Sequence, residues 1–183
     1  TSFIFGMGMT VTACYIFLAV VLAPALEQGG LNQLAVHLFI LYWGMLSYIT
    51  PPVALASITA AQISGAQALK TGVMSMKLGA VLFILPFMFV LEPALLLDGP
   101  PSEVLPSIAT AAAAIIVLAS ALEGYAYGLG RISGPERVAG FVAGLLIMTP
   151  DRMSELAGLG LLALVLLMHL AARRRRSRRR PAA

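Results

Sequence analysis

The sequence predicts an all-α, polytopic transmembrane fragment with a proline-broken helix and a re-entrant loop tip. Three observations predict it. Of its 183 residues, 60% are hydrophobic and 11% charged, whereas a soluble domain carries about 25% charged residues. Several apolar runs approach the ~20 residues that a spanning helix needs, and the mean hydropathy is +0.93. Finally, the run from His37 to Ala56 contains no Asp, Glu, Lys or Arg, yet Pro51 and Pro52 sit inside it.

The first segment covers residues 6–26 and is entered through Gly6, Met7, Gly8, Met9, Thr10, Val11 and Thr12. Two glycines and two threonines beside an apolar helix fit a re-entrant loop tip followed by its return helix. They fit equally a plain helix with small packing residues, since glycine is frequent in membrane helices. Pro24 and the run Glu27-Gln28-Gly29-Gly30 mark the exit.

The second segment is the broken helix, residues 33–48 and then 52–63. Each proline lacks an N–H and clashes with the carbonyl four residues back, and Pro51 pushes Thr50 out of helical geometry. The break is expected near residues 47–52. Neither half would span alone at ~1.5 Å per residue. In hydrocarbon such a break is tolerated where protein or a water-filled cavity surrounds it. Ser47 and Thr50 offer hydroxyls there, and the prolines leave carbonyls without intrahelical donors. Hard cations favour oxygen ligands of this kind, and secondary transporters hold coupling ions at broken helices. A structural kink is the competing reading.

Residues 66–77, with Lys70 and Lys77, read as a polar connector and interfacial helix. Segment three, residues 78–97, carries Pro86 as an expected kink. It ends in Glu92, Asp98 and Glu103 among prolines, an acidic loop without Lys or Arg. Segment four, residues 107–127, has a small-residue run at 109–114 suited to close helix packing, and ends in Tyr125 and Tyr127, which suit an interface belt. Segment five, residues 135–169, is interrupted at Thr149-Pro150-Asp151-Arg152. Arg137 and Arg173 flank it, and the positive-inside rule wants both in the cytoplasm. One continuous helix would also place Asp151, Arg152 and Glu155 in hydrocarbon, which is costly. A helical hairpin is expected.

Of the 12 basic residues, Arg173, Arg174, Arg175, Arg176, Arg178, Arg179 and Arg180 form a tail, which reads as a cytoplasmic anchor on the anionic surface of the lipid bilayer; no nucleic-acid partner is expected. Lys70, Lys77, Arg131 and Arg137 are expected on the same side. Cys14 is the one cysteine, so no disulfide forms within the chain and no cysteine-based metal site is available. His37 and His169 lack ligand spacing and receive no catalytic role. No carboxylate pair lies within an apolar span, and nucleophile-elbow, phosphate-loop and zinc-protease motifs are absent. The chain reads as a non-enzyme without cofactor.

Taken in order, the residues Gly6-Met7-Gly8-Met9-Thr10-Val11-Thr12-Ala13-Cys14-Tyr15, Ala23-Pro24-Ala25-Leu26, His37-Leu38-Phe39, Tyr48-Ile49-Thr50-Pro51-Pro52-Val53-Ala54-Leu55-Ala56, Lys70-Thr71-Gly72 and Leu85-Pro86-Phe87-Met88-Phe89-Val90 resemble the large membrane subunit, DctM-like, of TRAP (tripartite ATP-independent periplasmic) transporters. The resemblance covers residues 1–97; residues 104–172 resemble the extra C-terminal region of fused permeases.

The resemblance implies an elevator-type, sodium-coupled importer of dicarboxylate-like organic acids in the bacterial inner membrane. It implies three protein partners: a periplasmic substrate-binding protein, a small membrane subunit or its fused equivalent, and the N-terminal half of the same permease, expected to precede Thr1. In the family a hairpin tip and the Thr-Pro-Pro break form a sodium site. The matching positions are Gly8, Met9 and Thr12 at the tip and Ser47, Thr50 and Pro51 at the break, partly through backbone carbonyls. The family commonly has proline after Gly-Met, where this chain has Thr10. The expected organisation is residues 1–97 as the C-terminal part of the transport domain, 98–172 as additional membrane helices, and 173–183 as the Arg-rich tail. The rival reading is a non-transporting membrane scaffold or assembly subunit.

Overall fold

The computed structural model describes residues 9–178, with side chains to residue 171. Gly8, the glycine of the expected tip, lies outside the described residues, as do Arg179 and Arg180. The described chain is almost wholly helical and divides into two compact units, residues 1–107 and 108–183.

In the first unit, α1 (Val11–Val21) starts at Thr10, whose side-chain oxygen accepts the Ala13 N–H at 3.3 Å. This is an ordinary N-cap, and it satisfies one of the amides left orphaned at a helix start. Helix α2 (Ala23–Gln28) begins with Pro24 in its first turn, where a missing N–H costs nothing. Helix α3 (Gln33–Leu46) is capped by Asn32, which accepts from Ala35 N–H and donates to the Asp98 carboxylate at 2.8 Å. Cys14 and Leu18 of α1, Ala23 of α2, and Val36 and Ile40 of α3 form one buried cluster. Cys14 is thus a packing residue.

Helices α4 (Leu55–Ser64) and α5 (Ala68–Leu78) come after the break and pack on each other. Residues 78–97 do not form one kinked helix. Helix α5 bends by 68° into a second arm, residues 80–91. That arm consists of a 3-10 turn (Ala80–Phe83) and α6 (Leu85–Leu91), with Pro86 in the first turn of α6. Pro86 opens a helix, because there its missing N–H has no carbonyl to serve. The stretch expected as an interfacial connector is therefore half of a bent pair. Edge-on ring contacts bind α6 and the turn before it to α3: Phe39 to Phe87 at 5.2 Å, Trp43 to Phe83 at 6.0 Å and Tyr42 to Phe89 at 5.5 Å between centroids.

Helix α7 (Pro101–Glu123) begins earlier than expected and contains Pro106. It stops at Gly124, whose φ of +72° ends the helix in the left-handed region. The chain then pairs β1 (Tyr125–Ala126) with β2 (Gly130–Arg131) in a two-residue antiparallel ladder. The tyrosines expected on the last helical turn therefore sit in a small hairpin. Arg137 caps the end of α7 by donating to the carbonyls of Ala121 at 2.9 Å and Leu122 at 2.6 Å, where a cation complements the helix dipole.

Helices α8 (Gly134–Met148) and α9 (Arg152–Arg178) form the helical hairpin expected for segment five. His169 meets Glu136 at one end, and Gly158 lies against Ala143 and Ile147 nearer the turn, so the two run antiparallel. Helices Pro101–Glu123 and Arg152–Ala171 are long and apolar enough to cross a membrane, and the bent pair would make a third span.

Candidate functional site

The break between α3 and α4 is built from local hydrogen bonding. Beyond Leu46 the ladder tightens from the α pattern: Tyr48 N–H donates to Met45 carbonyl at 3.0 Å and Ile49 N–H to Leu46 carbonyl at 3.2 Å. A cis peptide joins Pro51 to Pro52. Ala54 then takes φ 38° and ψ 45°, a left-handed conformation that a side-chain-bearing residue seldom adopts, and α4 begins. Two bonds close the bend, from Ala54 N–H to the Thr50 carbonyl and from Ala56 N–H to the Tyr48 carbonyl, both at 3.0 Å. None of these bonds ends on the carbonyls of Ile49, Pro51, Pro52 or Val53, which lack a backbone donor among the described residues.

The two predicted hydroxyls are buried, Ser47 at 0% and Thr50 at 3% exposure. Ser47 Oγ donates to the Gly44 carbonyl at 2.7 Å and Thr50 Oγ1 to the Leu46 carbonyl at 2.8 Å. A hydroxyl that donates its proton keeps two lone pairs, so both oxygens can still face a cation. Pro51 is wedged by packing. A Cβ on Gly72 of α5 would lie 2.8 Å from Pro51 Cγ and 3.6 Å from Ala54 Cβ, and one on Gly79 would lie 2.9 Å from Ile49 Cδ1. Glycine at 72 is what lets α5 approach the bend this closely.

The tip residues stand differently. Met9 and Thr12 are exposed at the start of α1. That start lies beside the end of α3: a Cβ on Gly44 would meet Cys14 Sγ at 3.8 Å and Val11 Cγ1 at 3.9 Å. The structure therefore brings the first turn of α1 to the last turn of α3, one turn before the break. Among the described residues no hydrogen bond joins Met9 or Thr12 to Ser47 or Thr50. No group of His, Cys, Asp and Glu that could hold a metal occurs among the described residues.

Two features escape sequence reading. Ser57, on α4 just after the break, is 2% exposed, and its hydroxyl has no hydrogen-bond partner among the described residues. His37 joins three helices: Tyr15 hydroxyl meets its Nδ1 at 3.0 Å, and its Nε2 meets Glu27 Oε1 at 3.3 Å. A ring with its proton on Nε2 would accept from Tyr15 and donate to Glu27. Neither feature can be read from spacing, since residues 15, 27 and 37 share no periodicity.

No curated protein and no solved structure matches the chain. Residues 1–99 match the protein-family model described as "Tripartite ATP-independent periplasmic transporter, DctM component". This matched region contains the whole of the break, the start of α1, and the glycines of α5 and its bend that hold Pro51 and Ile49. With more than half of its length inside that family, the chain belongs to the DctM component of the tripartite ATP-independent periplasmic transporters and is a multi-pass membrane permease.

Proposed function

We propose that this chain contributes one half of a coupling-ion and substrate site in a sodium-coupled importer of organic acids. The observation that carries the reading is the break at residues 47–54. It sets two buried hydroxyls beside four carbonyls without backbone donors, in a segment with no charged residue. Ile49, Pro51 and Val53 are half-buried and Pro52 is exposed; away from water such carbonyls would demand partners, and a bare monovalent cation would supply one. Ser47, Thr50 and Pro51 would provide the break's oxygens, with Gly8, Met9 and Thr12 facing them from the tip, partly through their carbonyls.

The other half of the site would come from the N-terminal half of the permease, as expected where ions bind between structural repeats. A periplasmic binding protein would deliver the substrate, and a small membrane subunit, separate or fused, would brace the scaffold while the transport domain moves as an elevator. Residues 1–97 would belong to that domain, with 98–172 as additional helices. By the positive-inside rule Lys70, Lys77, Arg131, Arg137 and the Arg-rich tail would lie in the cytoplasm of a bacterial inner membrane, and the loop from Glu92 to Glu103, which has no Lys or Arg, would lie outside.

A packing kink in a scaffold subunit is the second reading. It is favoured by the two hydroxyls already donating within their own helix. Uptake by the full-length permease with its binding protein, measured against sodium concentration, separates the two. Thr50→Ala is expected to raise the half-saturating sodium concentration by roughly tenfold to hundredfold, the loss of one buried polar partner, while Ser120→Ala leaves it unchanged. An unchanged value for Thr50→Ala, or uptake indifferent to sodium, overturns the proposal.

A further inference from the structure

The second unit contains a crevice of about 260 Å³ that no part of the transport reading uses. Its walls are Ile116 and Val117 of α7 and Leu162 and Val165 of α9, and its far end is closed by Glu136 and His169. The polar atoms of that end are already committed. His169 Nδ1 meets Glu136 Oε2 at 3.2 Å and its Nε2 meets the Leu129 carbonyl at 3.4 Å, while Glu136 Oε2 also accepts Ser133 N–H at 2.8 Å. Beyond these groups the polar side chains of the lining are those of Ser120 and Tyr127, and the remaining walls are apolar. An unbranched apolar chain would find a mainly apolar slot between two helices of membrane-spanning length.

The charge beyond that end is basic. Arg131 is exposed on β2, and α9 runs on past His169 through Arg173, Arg174, Arg175 and Arg176 within the next turns. The acids in the same region of sequence are Glu123 and Glu136, and Glu136 is held by His169. Tyr127, fully exposed beside the crevice, suits headgroup depth. Basic pockets between membrane helices on the cytoplasmic side take anionic lipid headgroups.

We infer that the crevice holds one acyl chain of an anionic phospholipid, with its phosphate at the basic end, on the side where Arg131 is exposed. The inference needs α7 and α9 to cross the bilayer and is independent of the sodium reading. The full-length permease is reconstituted with phosphatidylglycerol or phosphatidylcholine carrying a photoactivatable group on one acyl chain, and labelled residues are located by mass spectrometry.

Phosphatidylglycerol is expected to label Ile116, Val117, Leu162 or Val165 in preference to phosphatidylcholine. Val165→Trp, which fills the slot, is expected to abolish that labelling. Arg131→Gln leaves the slot intact and is expected to cut the preference about fivefold, the effect of one surface arginine on an anionic lipid. Labelling confined to other residues, equal labelling by both lipids, or protection of the slot by another helix of the permease would each overturn the inference.

Discussion

Two Thr-Pro steps interrupt apolar helices in this chain, Thr50-Pro51 and Thr149-Pro150, and they end in opposite structures. In both, the threonine hydroxyl turns back to a helix carbonyl, Leu46 at 2.8 Å in the first and Leu146 at 2.7 Å in the second. The residues after the proline decide the outcome. Pro52, Val53 and Ala54 offer no charge, so nothing draws the first bend to water: Thr50 and Ala54 are buried in it, and Gly72 and Gly79 pack against it. Asp151 and Arg152 cannot stay in hydrocarbon cheaply, so the second bend is exposed and becomes the turn of a hairpin. There Asp151 caps α9, accepting from Ser154 N–H at 3.0 Å and Ser154 hydroxyl at 3.1 Å. A Thr-Pro step therefore signals a break, and the polarity of the next two residues separates a bend packed against a neighbouring helix from the exposed turn of a hairpin.

Substitutions at equivalent points of the two bends test this contrast. The largest effect is expected from Gly72→Val. Its Cβ would press on the Pro51 ring, and a closed ring cannot rotate away, so overpacking is expected to cost about 3 kcal/mol. A fall in the melting temperature of the detergent-solubilised full-length protein, with loss of transport, would register it. Gly158→Val meets Ile147 backbone N at 2.8 Å in the hairpin and is expected to destabilise comparably while leaving the sodium dependence of surviving transport intact. Equal loss of sodium dependence in both variants would erase the distinction between the bends.

A middle-sized effect is expected at the hydroxyls. Ser47→Ala leaves the fully buried Gly44 region short of a donor and is expected to cost about 1–2 kcal/mol, whereas Thr149→Ala, at a half-buried position, should cost under about 1 kcal/mol. Thermal unfolding of the two variants side by side gives the comparison, and a larger loss for Thr149→Ala would reverse it. The smallest effect is expected for Asp151→Ala. Removing this exposed cap should cost about 1 kcal/mol or less, confined to the first turn of α9, where hydrogen exchange of the Ser154 amide should accelerate. Unchanged exchange there would mean that the carboxylate does not hold the turn.

The positions of both breaks were legible because proline acts locally, through a missing N–H that no tertiary contact restores. The hairpin of α8 and α9 was legible for the same reason, with Asp151 and Arg152 adding the polarity. Pro86 was misread because a proline's effect depends on whether it falls inside a helix or in its first turn, and the bend that decides this falls at Gly79, which packs against Ile49. The β pair after Gly124 was missed because two residues per strand carry no alternation to detect. At the break, residue types announced Ser47 and Thr50 as oxygen donors, but their inward hydrogen bonds, the unpartnered Ser57 and the role of Gly72 come from three-dimensional packing. The tip was the least legible part: Thr10 supplies a helix cap in place of the family's usual proline, and Gly8 lies outside the described residues.

The contact of Gly72 with Pro51 also has a mechanical meaning. On the same face of α5, Ala68 lies one turn before Gly72 and Met76 one turn after. Sliding α5 by a turn, about 5.4 Å, would bring one of those side chains under the proline ring, where there is room only for hydrogen. The glycine thus works as a keyway and the ring as its key. A slide of α5 alone is blocked at the ring, so a displacement of α5 along its axis is expected to carry with it the bend that holds Ser47 and Thr50.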